Sequence, residues 1–321
     1  MAHQNAQGYS GGIVPMPKHY IDKIITECNE SSVLARVGKS TLVSADDLFS
    51  SEKVTYPRLN WHEEDTARNE GLYQKNARSE EVTVDFDRME FSMCGRWKGH
   101  WKLDQEDWLR MSSEGNRKLF ETSFNQYLQD SLDRRRDYAG LLKIAMSAHR
   151  DNMGTNAAGG TVNLGNDAAA LQPTDGAEVN KIINKMITAN RSHEYRPCKN
   201  GEYVVLVSPV MAGALREFQG TTLNLDNANQ NTLVTGEFRN AYGVPIVETT
   251  RLPYRIVGGT KVYRMLLVDT MTVGAPLKNL YINRQQDGHD YGVFFNFVYD
   301  AHVIHPKGVV VASVDETALM N

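Results

Sequence analysis

Four short stretches carry residue types that could do chemistry. "RVGKST", residues 36–41, ends in Gly38-Lys39-Ser40-Thr41, the close of a phosphate-binding P-loop. A complete loop has a second glycine five positions earlier, so that backbone N–H groups can wrap the phosphates. Val33 holds that position, and its branched Cβ resists φ > 0. The flanks fail as well. "YIDKIITECNESSVLARV" is no buried apolar strand, and "TLVSADDLFSSEKV" places Ser44 as the cap of a short helix from Asp46 to Phe49. A basic turn is the better reading. His302-x-x-His305 has a metal-like spacing, but it lies in a strand-turn context before Pro306, where the two side chains point to opposite faces. No cysteine or carboxylate pair is placed to complete a four-ligand site.

"HEED", His62 to Asp65, offers acid and base groups without an apolar surround to shift a pKa, and reads as a solvated or interfacial face. "CGRWKGHW", residues 94–101, combines a thiol, an imidazole, two tryptophans and basic residues. A thiol nucleophile needs a base and a third group brought close. Basic residues among aromatics also hold nucleic acid by stacking. For eight residues of an acidic chain, packing of Trp97 and Trp101 where a hairpin joins a helix is the better reading. No nucleophile elbow or glycine-rich dinucleotide loop occurs. The residues point to a structural protein rather than an enzyme, with no cofactor and no metal.

Composition agrees. Of 321 residues 41% are hydrophobic and 23% charged, enough for a core in a soluble chain of one elaborated domain or two. The net charge of -4 argues against a protein whose work is gripping nucleic acid. No apolar run approaches the ~20 residues of a membrane span. No signal-peptide layout opens the chain, so the expected compartment is the cytoplasm. Cys28, Cys94 and Cys198 are odd in number and far apart, as reduced thiols would be.

The first ~20 residues lack periodicity and read as an extended arm. "KVTYP" and "EVTVDFDRMEFSM" read as two strands. In the second, the apolar phase slips between Val82-Val84-Phe86 and Met89-Phe91-Met93, which predicts a bulge or bend. The charged connection between them is too long for an ordinary turn, and such a hairpin cannot stand alone, so it is expected on another subunit. Residues 104–149 read as one long helix capped by Asp104, with Leu119, Phe120, Phe124, Leu128, Leu132, Leu141 and Ala145 at three- and four-residue steps. Asp133-Arg134-Arg135-Arg136-Asp137 interrupts that stripe as a solvated face or a salt-bridge patch between subunits. Gly140 is expected to bend the helix or admit a close neighbour. An irregular excursion over residues 152–176 joins two lobes. An amphipathic helix follows, then the apolar strand "EYVVLVSP", a helix started by Ser208-Pro209, and the strands "YGVPIVETTRLP" and "KVYRMLLVDT". Two strands around His305-Pro306-Lys307-Gly308 close the chain. This is α+β or α/β architecture with a covered sheet, and it has no internal repeat. "TTLNLDNANQNT", residues 221–232, reads as a loop.

In this order the elements resemble the tailed-bacteriophage major capsid proteins of the Hong Kong 97 type. The more specific pieces are "EYVVLVSPVMAGALREF", "YDAHVIHPKGVVVASV" and the run Gly236, Gly243, Pro245, Ile246, Val247, Thr249, Leu252, Pro253. The resemblance implies an α+β fold in five parts. These are an N-terminal arm (1–50), an extended β-hairpin or E-loop (51–98), a P-domain with a long spine helix (99–173), an α/β A-domain (174–275) and return strands (276–321).

It further implies a subunit that assembles into pentamers and hexamers, and those into an icosahedral head enclosing double-stranded DNA without specific binding. Assembly would take place in the host cytoplasm, with a separate scaffolding protein and a portal protein. A decoration protein on the outside is compatible with this picture, and no membrane is involved. Trp61, Glu63, Glu64, Asp65, Arg68, Lys75 and Arg78 of the hairpin, with Arg134, Arg135 and Arg136 of the helix, are the candidate contacts between subunits. Some members join subunits through a Lys–Asn isopeptide bond. Lys75 is the candidate donor, but no acceptor matches, so no crosslink is expected. An encapsulin-type compartment shell and a soluble cytoplasmic α/β enzyme are the alternatives.

Overall fold

Val204, Val205, Leu206 and Val207 are buried in succession, and a strand that is apolar on both faces needs a cover on both. The computed structural model describes residues 32–38, 54–60, 85–91, 95–104, 114–192, 203–222, 238–239, 244–287 and 290–320. In chain order the elements are α1 (Leu34–Val37), β1 (Val54–Asn60), β2 (Asp85–Phe91), β3 (Gly95–Asp104), α2 (Glu114–Met146), α3 (Gly176–Ser192), β4 (Tyr203–Val207) and α4 (Pro209–Thr222). There follow β5 (Phe238–Arg239), β6 (Pro245–Glu248), β7 (Tyr254–Val257), β8 (Thr260–Asp269), β9 (Val273–Gly274), β10 (Leu277–Asp287), β11 (Asp290–Tyr299), β12 (His302–Val303) and β13 (Val309–Asp315).

Two units share the chain: Met1–Val43 with Cys94–Asn321, and Ser44–Met93. In the smaller unit β1 and β2 pair antiparallel in an unbroken register from Val54 opposite Phe91 to Asn60 opposite Asp85. The bulge expected from the phase slip between Phe86 and Met89 is therefore not there. A two-stranded ribbon twists strongly, and twist alone can carry one face from one side to the other over a few residues.

In the larger unit a mixed sheet runs in the order β13-β8-β4-β6-β5, with β7 also on β8. Only β4 and β6 are parallel, and α4 lies in the crossover between them. One face packs Val205, Val207, Met265, Leu267 and Val310 against Val179, Ile183 and Met186 of α3 and Met211 and Leu215 of α4. The other packs Val204, Leu206, Leu266, Val268 and Val309 against Leu141 and Ile144 of α2 and Leu34 and Val37 of α1. Each large side chain so buried contributes about 2 kcal/mol. Both covers exist, as the uninterrupted apolar strands require. Ser208 accepts from the Met211 N–H (3.2 Å) at the head of α4 and donates to Glu316, tying the chain's end to that helix. Burial pushes the Glu316 carboxyl up, against the hydrogen bonds from Ser208 and Tyr263.

A second sheet, β10-β11-β3, packs Phe295 and Phe297 against Leu128 and Leu132 of α2. Here the structure departs from the sequence reading. Asp104 ends β3, residues 105–113 lie outside the described residues, and α2 begins at Glu114. Gly95 to Trp101 of "CGRWKGHW" lie in β3, at the edge of this sheet among the described residues, rather than at a junction, although Trp97 does pack inward, 4.7 Å from Phe295 between ring centroids. The two closing strands belong to different sheets, β11 beside β10 and β3, β13 beside β8. The excursion over 152–176 is no linker. Leu164 is fully buried, and Ser313 N–H to Leu164 O (2.9 Å) and Leu171 N–H to Ser313 O (2.9 Å) lay this segment along the edge of β13. Gly165, at φ 71°, makes the turn there, where a Cβ would lie 2.7 Å from the Ser313 carbonyl oxygen.

Candidate functional site along the long helix

The helix α2 has 33 residues and is about 50 Å long at 1.5 Å per residue. Its middle section serves the β10-β11-β3 sheet and its last turns serve the larger sheet, so one rigid rod enters two cores. The charged cluster lies between those two contacts, and only half of it is solvated. Arg134 and Arg135 are exposed, whereas Arg136 and Asp137 are buried, which corrects the expectation of a wholly solvated or intersubunit patch. The Arg135 guanidinium stands 5.3 Å from the Trp97 ring centroid, a cation–π contact. Arg136 donates from Nη2 to the Ala275 carbonyl at 2.6 Å. Burial pulls its pKa down, against the charges of Asp133 and Asp137. Burial also pushes the Asp133 carboxyl up.

Asp137 is fully buried and takes four hydrogen bonds. Ser32 Oγ (2.9 Å) and the backbone N–H groups of Val33 (3.0 Å) and Leu34 (2.9 Å) donate to it. Arg251 Nη1 donates the fourth at 2.5 Å, from the segment after β6. A carboxylate on one helix thus caps the start of another, beside the Ser32 hydroxyl, which accepts from the Ala35 N–H at 3.3 Å. Glycines allow the approach. A Cβ on Gly140 would sit 2.6 Å from Leu34 Cδ2, and one on Gly38 2.5 Å from Ala275 Cβ. Gly140 therefore admits a neighbour. Gly38 closes α1 against the core, so a helix stands before the Gly-Lys-Ser-Thr run; Lys39, Ser40 and Thr41 lie outside the described residues.

Lys143, nearly two turns beyond Asp137, pairs through Nζ with Asp300 Oδ1 at 2.7 Å. His302 stands behind that pair, Nε2 3.7 Å from Asp300 Oδ2. Burial pushes its pKa down to about 4, with Asp300 opposing and Lys143 adding to the shift. His305 opens the 3-10 turn Pro306–Gly308. Among the described residues no group of three His, Cys, Asp or Glu side chains is placed to hold a metal ion. Trp61, Glu63, Glu64, Asp65, Arg68, Lys75 and Arg78 lie outside the described residues, as do "HEED", the helix expected at 46–49 and Cys28, Cys94 and Cys198. Ser32 and Arg251 escaped the sequence reading, and Asp137 entered it only as one member of the charged cluster. Asp137 is one charge among five, and its partners lie 105 and 114 positions away.

This site is made of anchors rather than reagents. The family model described as phage capsid protein matches residues 132–312, which takes in Arg134 to Asp137, Arg251, α3, α4 and the first residues of β13. The chain belongs to the phage capsid protein family. No curated protein sequence matches it. Among solved structures it is similar to one from Mycobacterium phage Che8, with 15% identity and a TM-score of 0.59 over 92% of this chain and 96% of that one. The capsid structure of the cyanophage P-SCSP1u matches at 10% identity and a TM-score of 0.62 over 92% and 91% of the two chains. The capsid of Ralstonia phage GP4 matches at 12% and 0.61 over 92% and 94%. At these identities the likeness is one of fold, and the fold is the α+β Hong Kong 97 type. The protein is a structural component of a phage capsid.

Proposed function

We propose that this chain is the major capsid protein of a tailed phage, assembling with copies of itself into hexamers and pentamers and then into a closed icosahedral head around double-stranded DNA. The observation that carries the reading is the span of the family match, which runs from the charged cluster of α2 into β13. In the same reading Arg134 and Arg135, exposed on α2, and the charged residues at positions 61–78 meet neighbouring subunits. Several contacts of ordinary size, each burying on the order of 1,600 Å², then hold a shell that no single contact would. A separate scaffolding protein and a portal protein complete assembly in the host cytoplasm, and the chain does no catalysis.

Electron microscopy of the purified protein, expressed alone and then with its genomic neighbours, tests this. Closed shells, or tubes and sheets of hexamers, are expected. A uniform small oligomer under every condition would overturn the reading.

A further inference from the structure

The stretch Arg96-Trp97-Lys98-Gly99-His100-Trp101-Lys102 alternates basic residues with Trp and Gly. On a strand that alternation becomes a face. In β3 the side chains of Arg96, Lys98 and His100 are exposed, while Gly95, Trp97 and Gly99 are turned toward α2 and half-buried. The residues opposite them on β11 are Val298, Asn296 and Phe294, none of them charged. His100 lies flat on Phe294, 3.9 Å between ring centroids at an interplanar angle of 9°. Among the described residues no carboxylate pairs with Arg96 or Lys98. In a chain of net charge -4 this is a local positive strip with an aromatic step.

We propose that the exposed face of β3, carried by Arg96, Lys98 and His100, is a docking surface for the phosphate backbone of nucleic acid. Alternate side chains on a strand stand about 6.7 Å apart. Phosphates along one strand of a duplex advance only about 3.4 Å each along its axis and wind about it, so a short row of cations meets a run of backbone by charge density rather than by register. The acidic remainder of the chain repels a polyanion and leaves this face as the place of contact. A lysine on an edge strand also deters strand addition, but that role concerns the open edge, and these side chains stand on the face. The contact reads charge, so it is independent of base sequence. It leans on the shell reading only for the source of the nucleic acid, which would be the packaged genome.

The test is fluorescence anisotropy of a labelled 20-base-pair duplex of random sequence with the full chain, from 50 to 200 mM NaCl. The wild type is expected to bind with a log–log salt slope of about -2 to -3. R96E/K98E should weaken binding at 50 mM at least tenfold and make the slope shallower by about 2. K181E/K185E alters two exposed lysines of α3 and changes the net charge equally, and it should leave both readings as in the wild type. Lys98→Gln, the mildest change, should lower the slope by about 1 even where the double variant folds poorly. Equal loss in both double variants, or no loss in R96E/K98E, would overturn the proposal. Normal duplex binding by R96E/K98E with failed shell formation would also overturn it and assign the face to a second copy. Electron microscopy of the same preparations keeps a failure of this proposal distinct from a failure of the shell reading.

Discussion

Asp137 shows how much one carboxylate can organise. It satisfies a hydroxyl, two backbone N–H groups and a guanidinium out of reach of water. Removing one partner of a buried pair costs about 3–5 kcal/mol, because the other is left charged and alone. Asp137→Ala is therefore expected to lose that much in urea unfolding, and Asp137→Ala with Arg251→Met to lose less than the two single changes summed. An additive result would show that the two side chains are not coupled. His302 makes a pH-dependent contribution of known sign. Its pKa is low in the folded chain, about 4, against an ordinary 6.5. Stability is complete above pH 6.5, falls as pH drops from 6.5 toward 4, and levels off below, with a total of about 3 kcal/mol. Comparing urea midpoints of the wild type and His302→Gln at pH 7 and pH 4.5 checks this. The gap between them should narrow or reverse at the lower pH, and a constant gap would remove His302 from the acid response.

Among the elements, α1 depends on the absence of a side chain across from it. Gly→Ala in a helix ordinarily gains about 1 kcal/mol. At Gly140 the added Cβ would meet Leu34 at 2.6 Å, so Gly140→Ala should instead cost about 1–3 kcal/mol and lower Tm. In a Leu34→Ala background the same change should be neutral or stabilising. Elements were legible in the sequence where burial imposes a period. Leu128, Leu132, Leu141 and Ala145 marked α2, and the unbroken apolar runs of β4, β8 and β13 marked a sheet covered on both sides. β3 was illegible as a strand because its outer face is basic and its inner face alternates Trp with Gly. β10 was missed because its pairing shifts between Asn279 and Tyr281, so no single alternation runs its length. The exposed Arg134 and Arg135 were visible in advance. The Asp137 node was not, because tertiary contact alone makes it a site.

At the scale of the whole molecule, the exposed arginines should matter to assembly and little to folding. R134E/R135E is expected to cost no more than about 1 kcal/mol of folding stability, the order of the Arg135–Trp97 contact, while lowering the fraction that sediments as shells. An unchanged shell fraction would take these residues out of the contact surface. The anchoring of α1 also has a consequence in time. Ser32 leaves the ribosome long before Asp137, and Arg251 comes later still. At 5–20 residues per second the whole node is delivered roughly 10–40 s after its first member. Through that interval Val33, Leu34 and Val37 have no core to enter, since the residues that cover them are still to be made. The newborn chain must therefore carry this apolar segment uncovered until Arg251 and β13 have been made, which makes it a natural hold for a chaperone on the ribosome.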